Sequence, residues 1–207
     1  MPLKRPIIIV FLVLLLDQLL KFYIKTHFTM NEEVAVAGNW FILHFTENNG
    51  MAFGMQFAGE WGKLTLSIFR ILASIGMVVY LFVLTRKKTA FGPILGISLV
   101  LAGALGNIID SAFYGLVFSA STYHSLAEFL PDAGGYAGFL HGKVVDMLYF
   151  PILVIEQAKA PSWIPDFLFG LDGYFIFFRP VFNIADSAIT TGVLWLLLFE
   201  RKFLKGI

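Results

Sequence analysis

Four aspartates stand in apolar stretches where an ionised carboxylate would be poorly solvated: Asp17, Asp110, Asp146 and Asp186. Ionisable side chains in such surroundings are costly, so each needs a reason. Two carboxyl groups that lie close together cannot both ionise easily, and they share one proton over a broad pH range. One of them can then activate water while the other protonates the carbonyl oxygen or the leaving nitrogen. The chemistry that these residues allow is peptide hydrolysis by a pair of aspartates.

Two asparagines precede two of these acids at the same spacing. Asn107 and Asp110 are three residues apart, and so are Asn183 and Asp186. In a helix, residues at this spacing share one face. An asparagine amide can donate hydrogen bonds to a carboxylate on its own helix or on a facing one. The pairs are therefore candidates for a polar site, and Asn107 with Asp110 is equally explained as a hydrogen-bonding contact between helices.

Two further charged groups have structural explanations. Asp17 and Lys21 are four residues apart with the acid nearer the N-terminus, which is the favourable order for an ion pair on a helix. A neutralised pair that fixes its own helix is the simpler interpretation. Arg70 interrupts another apolar run, and pairing with an acid, or extension of its long side chain toward water, accounts for it without catalysis.

Other hydrolytic chemistries lack their residues. The chain has no cysteine, no H-E-x-x-H zinc motif and no G-x-S-x-G nucleophile motif. The histidines have no ligand spacing; they are His27, His44, His124 and His141. We therefore predict no metal site and no cofactor. A serine–lysine pair would have to combine Ser111 or Ser187 with Lys143 or Lys159, and we regard it as the weaker alternative.

The composition indicates what kind of scaffold must position these groups. Of 207 residues, 58% are apolar and only 14% are charged, against about 45–50% and about 25% in soluble domains. The net charge of +1 provides no field that would attract polyanions. A soluble enzyme, a nucleic-acid-binding protein and a disordered chain are therefore all improbable. The composition is typical of an integral membrane protein.

Four segments are long and apolar enough to cross a bilayer, which takes about 20 residues. We predict a single membrane domain over residues 1–207, with helices at about 7–24, 64–84, 91–113 and 181–199. Residues 34–54 alternate apolar stretches with Gly and Asn, which is typical of short strands and turns. Residues 114–180 are rich in aromatics, Gly and Pro, and we expect them to lie at the membrane surface.

Basic residues predict the orientation of these helices. They cluster before the first helix, between the second and third, and after the fourth: Lys4 and Arg5; Arg86, Lys87 and Lys88; Arg201, Lys202 and Lys205. Four crossings place all three clusters on one side, which we predict to be the cytoplasm. Both termini are then cytoplasmic, and the segments 25–63 and 114–180 face outward.

The predicted orientation brings the polar residues to one depth. Asp17 and Lys21, Asn107 and Asp110, and Asn183 and Asp186 all fall in the outer half of their helices. Asp146 belongs to an outer segment. A transporter is the main alternative, because buried acids also mark ion paths. The ionisable residues of the second to fourth helices do not continue toward the cytoplasm, however, which disfavours a path through the membrane.

Five motifs run in order along the chain: Asp17-Gln18-Leu19-Leu20-Lys21, Asn48-Asn49-Gly50-Met51-Ala52-Phe53-Gly54, Gly103-Ala104-Leu105-Gly106-Asn107-Ile108-Ile109-Asp110, Gly142-Lys143-Val144-Val145-Asp146 and Phe182-Asn183-Ile184-Ala185-Asp186-Ser187-Ala188-Ile189. They resemble the D-Q-x-x-K, N-x-G-x-A-F, G-x-x-G-N-x-x-D, G-x-V-x-D and F-N-x-A-D-x-x-I motifs of the lipoprotein signal peptidases, also called signal peptidase II. The resemblance extends from residue 17 to residue 189.

The resemblance implies an all-α integral membrane fold of four transmembrane helices with a small extracytoplasmic β-sheet cradle. It implies an aspartyl endopeptidase of the bacterial inner membrane that cuts prolipoproteins before a cysteine carrying diacylglycerol. By motif, Asp146 and Asp186 would be the catalytic pair. The supporting residues would be Asn48, Asn107, Asp110, Asn183, Asp17 and Lys21. Membrane lipid is an expected partner, the cyclic peptide globomycin is an expected inhibitor, and we expect a monomer.

The chain departs from the family pattern at two places. The family usually has Arg after the helix-three Asp, where this chain has Ser111; Arg70 or Arg179 could supply that charge. The G-x-V-x-D motif also comes late, because Gly115-Leu116-Val117 begins a similar phrase that no Asp completes. We infer an insertion of about 27 residues, between about Leu116 and His141, from the offset between Gly115 and Gly142.

Overall fold

The computed structural model describes residues 3–49 and 59–205. Helix α1 (Lys4–His27) leads into strands β1 (Glu33–Ala37) and β2 (Phe41–Asn48), and helices α2 (Gly59–Arg86) and α3 (Phe91–Ile109) follow. Helix α3 continues through a π-helical turn (Asp110–Tyr114) and a last α-turn (Gly115–Val117). Strands β3 (Val144–Tyr149), β4 (Leu153–Glu156) and β5 (Tyr174–Phe177) precede α4 (Ile184–Phe199) and the short α5 (Arg201–Leu204).

Three of these helices are long and apolar enough to cross a membrane: Lys4–His27, Gly62–Arg86 and Phe91–Val117. They extend beyond the ranges predicted from the sequence at one or both ends. The fourth apolar helix, α4, has 16 residues and begins at Ile184 rather than at residue 181. The reason is local: Asn183 is in extended conformation, and its side chain accepts a hydrogen bond from the Asp186 amide, so that it caps the helix.

Helix α3 is the centre of the helical layer and packs against α1, α2 and α4. Its glycines allow α4 to approach closely. A Cβ atom on Gly103 would lie 2.1 Å from the carbonyl oxygen of Ala185, and one on Gly192 would lie 2.6 Å from that of Gly96. Small residues on both helices are the usual basis for such close packing in membranes. This close packing fixes how α3 and α4 are aligned along their length, and it brings Asn107 level with Asp186.

A three-stranded antiparallel sheet, ordered β1-β2-β3, lies at one end of the bundle. Strands β1 and β2 fall where the residue pattern predicted short strands, whereas β3 was not predicted from it. In its register Thr46 pairs with Asp146, and Asn48 pairs with Val144. One face of the sheet packs on the ends of α1 and α3 through a buried cluster: Ile24, Phe28, Phe45, Tyr114, Phe118, Val145 and Met147. This cluster fixes β3, and with it Asp146, against the bundle.

Two features of the outer segments go beyond the sequence prediction. Strands β4 and β5 form a separate hairpin, with Leu153 opposite Phe177. The inferred insertion follows α3, and its last residues contact the end of the same helix. The Gly142 amide donates to the Ser111 carbonyl at 2.9 Å, and the Ala137 amide donates to the Gly115 carbonyl at 2.9 Å. The segment inferred to be inserted is therefore hydrogen-bonded back to the last turns of α3. Gly50, Met51, Ala52, Phe53 and Gly54 of the second motif lie outside the described residues.

Candidate active site

Asp146 stands on β3 with both carboxylate oxygens occupied. Its side chain is 3% exposed. The Asn183 amide donates to Oδ1 at 2.7 Å, and the Asn48 amide donates to Oδ2. Asn48 reaches this position because β2 pairs with β3, and Asn183 reaches it because it caps α4. The sheet and the last apolar helix thus meet at one carboxyl group.

Asp186 lies one turn into α4 and faces the same asparagines. The Asn107 amide donates to its Oδ1 at 2.8 Å. The Asn183 amide donates to Asn107 Oδ1 at 3.2 Å as well as to Asp146. The two aspartates are therefore connected through neutral amides from α3 and α4. The sequence spacing of Asn107 and Asn183 predicted amide donors, and each of them does donate to a carboxylate on a different element.

The carboxyl group of Asp146 is electrostatically unusual. Burial raises its pKa to about 7, and the charge of Asp186 is the next contribution in the same direction. Lys21 and the hydrogen bonds from Asn48 and Asn183 act the opposite way. A carboxyl group with such a pKa can hold or release a proton near neutral pH, as an acid–base catalyst requires.

A fully buried ion-pair cluster lies next to Asp146 and Asp186. Lys21 Nζ lies 2.9 Å from Asp17 Oδ2, 2.8 Å from Asp110 Oδ2 and 3.1 Å from Asn107 Oδ1. Asp17, Lys21 and Asp110 are each at most 1% exposed. The predicted ion pair of Asp17 with Lys21 is present, and it extends to a third helix residue that sequence spacing alone did not connect with it.

The cluster also binds the backbone on each side of the site. Asp17 Oδ1 accepts the Ala185 amide at 2.9 Å, and Asp110 Oδ2 accepts the Val145 amide at 3.2 Å. Ala185 precedes Asp186, and Val145 precedes Asp146. Both oxygens of Asp110 are occupied, since Gln18 donates to Oδ1 at 2.9 Å. Asp110 therefore occupies a supporting position, and helix α1 contacts the segments that carry both candidate catalytic acids.

Ser111 contributes no charge here, because its hydroxyl donates back to the Asn107 carbonyl at 3.0 Å. Of the two arginines considered as substitutes, Arg179 pairs with the exposed Asp172 at 2.9 Å on the β4–β5 hairpin. Arg70 of α2 instead interacts electrostatically with Asp186, Asp110 and Asp146, in that order of strength. The structure thus brings Arg70, and not Arg179, to the site.

Sequence reasoning missed a second buried cluster next to the site. Lys25, one turn after Lys21, lies 2.5 Å from Glu47, and Ser121 of the insertion donates to the same carboxylate at 3.0 Å. The Lys25 ammonium also lies over the rings of Phe118 and Tyr136. The four-residue spacing between Lys21 and Lys25 was the sequence signal that both lysines share one helix face. The acidic partner of Lys25, Glu47, lies on strand β2 and not on the helix.

The described acidic side chains of the site do not form a metal-binding group. Among residues 3–49 and 59–205, no group of three or more His, Cys, Asp or Glu side chains is arranged to hold a metal ion. The four aspartates of the site are instead bound to lysine, amides and backbone N–H groups. Carboxyl groups held in this way can take up and release protons.

A family model and individual relatives both match this chain, and they indicate the same family. The sequence model described as signal peptidase (SPase) II matches residues 9–201. A lipoprotein signal peptidase of Porphyromonas gingivalis is 44% identical over 191 residues, which cover 91% of this chain and 79% of the relative. One of Amoebophilus asiaticus is 35% identical over 196 residues, covering 93% of this chain and 76% of the relative.

Solved structures share the fold. A bacterial membrane enzyme solved by the in meso method at 2.3 Å resolution superposes with a TM-score of 0.61 at 23% identity, covering 97% of this chain and 89% of that one. A second, at 1.9 Å, gives a TM-score of 0.57 at 24% identity, covering 95% and 92%. At these identities the likeness concerns the fold alone.

Proposed function

Because this chain belongs to the signal peptidase II family, a group of membrane proteases that remove signal peptides from prolipoproteins, we propose that it is an aspartyl endopeptidase. It cuts diacylglyceryl-modified bacterial prolipoproteins just before the lipidated cysteine. The observation that carries the proposal is the connection of Asp146 and Asp186 through the amides of Asn183 and Asn107. Two acids joined in this way can share one proton.

In the proposed mechanism the pair holds a single proton between its two carboxyl groups. The ionised carboxylate takes a proton from a water molecule as that water attacks the scissile carbonyl carbon. The protonated carboxyl group donates its proton to the carbonyl oxygen as the tetrahedral intermediate forms. The carboxyl group that took a proton from water then passes it to the leaving nitrogen as the C–N bond breaks, and the other carboxylate takes a hydroxyl proton from the intermediate, which restores the singly protonated pair. Burial of Asp146, which raises its pKa to about 7, supports proton exchange at neutral pH. No assignment of acid and base to one residue is needed, since a coupled pair titrates as a unit.

The remaining predicted residues have supporting roles in this proposal. Asn48, Asn107 and Asn183 orient the two carboxyl groups. Asp17 and Asp110 hold the backbone at Ala185 and Val145, and Lys21 pairs with both acids, so the three position the pair without touching the substrate. The cysteine-linked acyl chains stay in lipid, and the signal peptide enters as an apolar segment between helices.

We propose four crossings of the inner membrane, with both termini cytoplasmic and the active site on the outer face. Helix α4 is about 24 Å long at about 1.5 Å per residue, against about 30 Å of hydrocarbon. A short span can be accommodated by local thinning of the bilayer, and the apolar residues before Asn183 add length on the outer side. The enzyme acts as a monomer and binds globomycin.

The test is cleavage of one purified prolipoprotein, with and without diacylglycerol on its cysteine. We expect the wild-type protein to cut only the lipidated form, and the Asp146→Asn and Asp186→Asn proteins to cut neither. Asp172→Asn is the matched control, because this exposed aspartate belongs to the β4–β5 hairpin. Normal cleavage by either of the first two variants would refute the aspartyl mechanism, and cleavage of the unlipidated form would refute the lipid requirement.

A further inference from the structure

The buried lysine of the site is paired with the supporting acids rather than with the candidate catalytic pair. Lys21 lies within 2.9 Å of both Asp17 and Asp110, which are its acidic neighbours. Asp146 and Asp186 are held by neutral amides. A buried negative charge is costly unless it is balanced. A positive charge on an element that faces the pair from another side would supply that balance.

Helix α2 presents a polar face to the protein. Lys63, Ser67, Arg70 and Ser74 follow one another at intervals of four, three and four residues, so they share one face of the helix. Lys63, Ser67 and Ser74 are buried, and Arg70 is half-buried. The opposite face carries exposed apolar side chains such as Leu72, at 63% exposure. The polar face is therefore turned away from lipid and toward the bundle.

The outer end of this face is fixed beside the site. Lys63 Nζ donates to the His141 carbonyl at 2.6 Å and to Asn49 Oδ1 at 3.3 Å. Asn49 directly follows Asn48, whose amide donates to Asp146. Lys63 thus marks the level of the sheet edge, and the segment that closes the insertion contacts the same lysine.

Arg70 lies seven residues further along the same face, which is about 10 Å deeper in the membrane. Asp186 lies one turn into α4, so a residue at this depth on α2 comes level with it. The strength of the electrostatic interactions agrees, since Asp186 is the strongest acidic partner of Arg70, followed by Asp110 and Asp146. The position of Arg70 on α2 and its electrostatic interactions therefore indicate independently that it faces Asp146 and Asp186.

We propose that Arg70 is a positioning residue that supplies the positive charge which stabilises the singly ionised form of the Asp146–Asp186 pair. This inference rests on the proposed function. Arg70 stays charged throughout, because an arginine guanidinium does not lose its proton in proteins. It moves no proton; its charge favours the pair with one proton over the pair with two. Lys21, Asp17 and Asp110 also face the pair, and they form their own ion cluster.

The test measures the pH profile of cleavage in Arg70→Gln, Arg70→Met and Arg70→Lys proteins. Loss of a nearby positive charge makes the pair hold its protons to higher pH. We therefore expect the acidic and the alkaline midpoints to move up by about one pH unit in the two neutral variants, and Arg70→Lys to stay near the wild-type profile. Arg86→Gln is the matched control, because it removes an exposed arginine at the other end of α2, over the Phe82 ring.

Two outcomes overturn the inference and can be told apart. If Asp186→Asn, measured in parallel, cuts normally, the aspartyl pair itself is refuted and Arg70 has nothing to stabilise. If Asp186→Asn is inactive and the neutral Arg70 variants lose rate uniformly at every pH, the pair stands and Arg70 has only a structural role. Matching upward shifts in Arg70→Gln and Arg70→Met, absent from Arg86→Gln, support the inference.

Discussion

Replacement of Lys21 by methionine removes the cation from a buried cluster and leaves the shape of the side chain nearly unchanged. Lys21 is 0% exposed and lies within 2.9 Å of two carboxylates, Asp17 and Asp110, which are also buried. Removing one partner of a buried ion pair costs about 3–5 kcal/mol, because the other charge is left uncompensated. Here two charges are left, so we expect the loss to fall at the upper end of that range.

Lys25→Met provides the matched control one turn further along α1. Lys25 is equally buried, but its partner Glu47 keeps a hydrogen bond from Ser121 at 3.0 Å and has Lys143 3.6 Å away. We therefore expect Lys25→Met to destabilise the protein by less than Lys21→Met does. The measurement is the free energy of unfolding in detergent micelles, for wild type and both variants at the same pH.

A double variant tests the cause of the effect. Asp110→Asn in the Lys21→Met background removes one of the two uncompensated charges, so it should recover part of the lost stability. In the wild-type background Asp110→Asn should be destabilising, and the difference between the two backgrounds measures the coupling. The reasoning is refuted if Lys21→Met and Lys25→Met lose equal stability, or if Asp110→Asn has the same effect in both backgrounds.

Two further predictions concern pH and helix packing. Since the pKa of Asp146 rises from about 3.9 in the unfolded chain to about 7 in the folded protein, its favourable contribution is present below pH 4 and is lost as pH rises through 7. Unfolding of Asp146→Asn and wild type at pH 4 and pH 8 should therefore show the variant gaining stability relative to wild type at pH 8; an unchanged difference would contradict this. Gly103→Leu should separate α3 from α4 and abolish cleavage, because a Cβ atom there would lie 2.1 Å from the Ala185 carbonyl oxygen. Gly76→Leu should remain active, because a Cβ atom on Gly76 has nothing within 4 Å. Equal activity of the two leucine variants would refute the packing argument.

Helical spacing and apolar runs were enough to predict the helical residues of the site. The Asp17–Lys21 pair, the two asparagine donors and the short strands β1 and β2 all follow from local patterns. These patterns are local because the residues concerned are three or four apart, or lie in one strand. Family membership, inferred from five motifs in order, is confirmed by the match over residues 9–201.

Contacts between distant elements could not be read in the same way. Lys25 finds its acid on β2, 22 residues away, and Lys63 finds a backbone carbonyl 78 residues away. Nothing in a helical pattern specifies such partners. The start of α4 was also predicted three residues early, because the apolar run continues through Val181 and Phe182 while the cap is set by one hydrogen bond at Asn183. The β4–β5 hairpin was likewise not predicted, because its aromatic segment has no clear alternating pattern.

The two kinds of acid in this site are held in different ways, and the difference bears on catalysis. Asp17 and Asp110 contact an ammonium group, which can donate hydrogen bonds but cannot accept one. Asp146 and Asp186 contact asparagine amides, each of which carries both donor and acceptor atoms. An amide can stabilise a carboxylate through its N–H groups, or a protonated acid through its oxygen after rotation. The proposed catalytic pair can therefore pass a proton without losing its partners, while Asp17 and Asp110 remain bound to Lys21 and to the backbone amides of Ala185 and Val145.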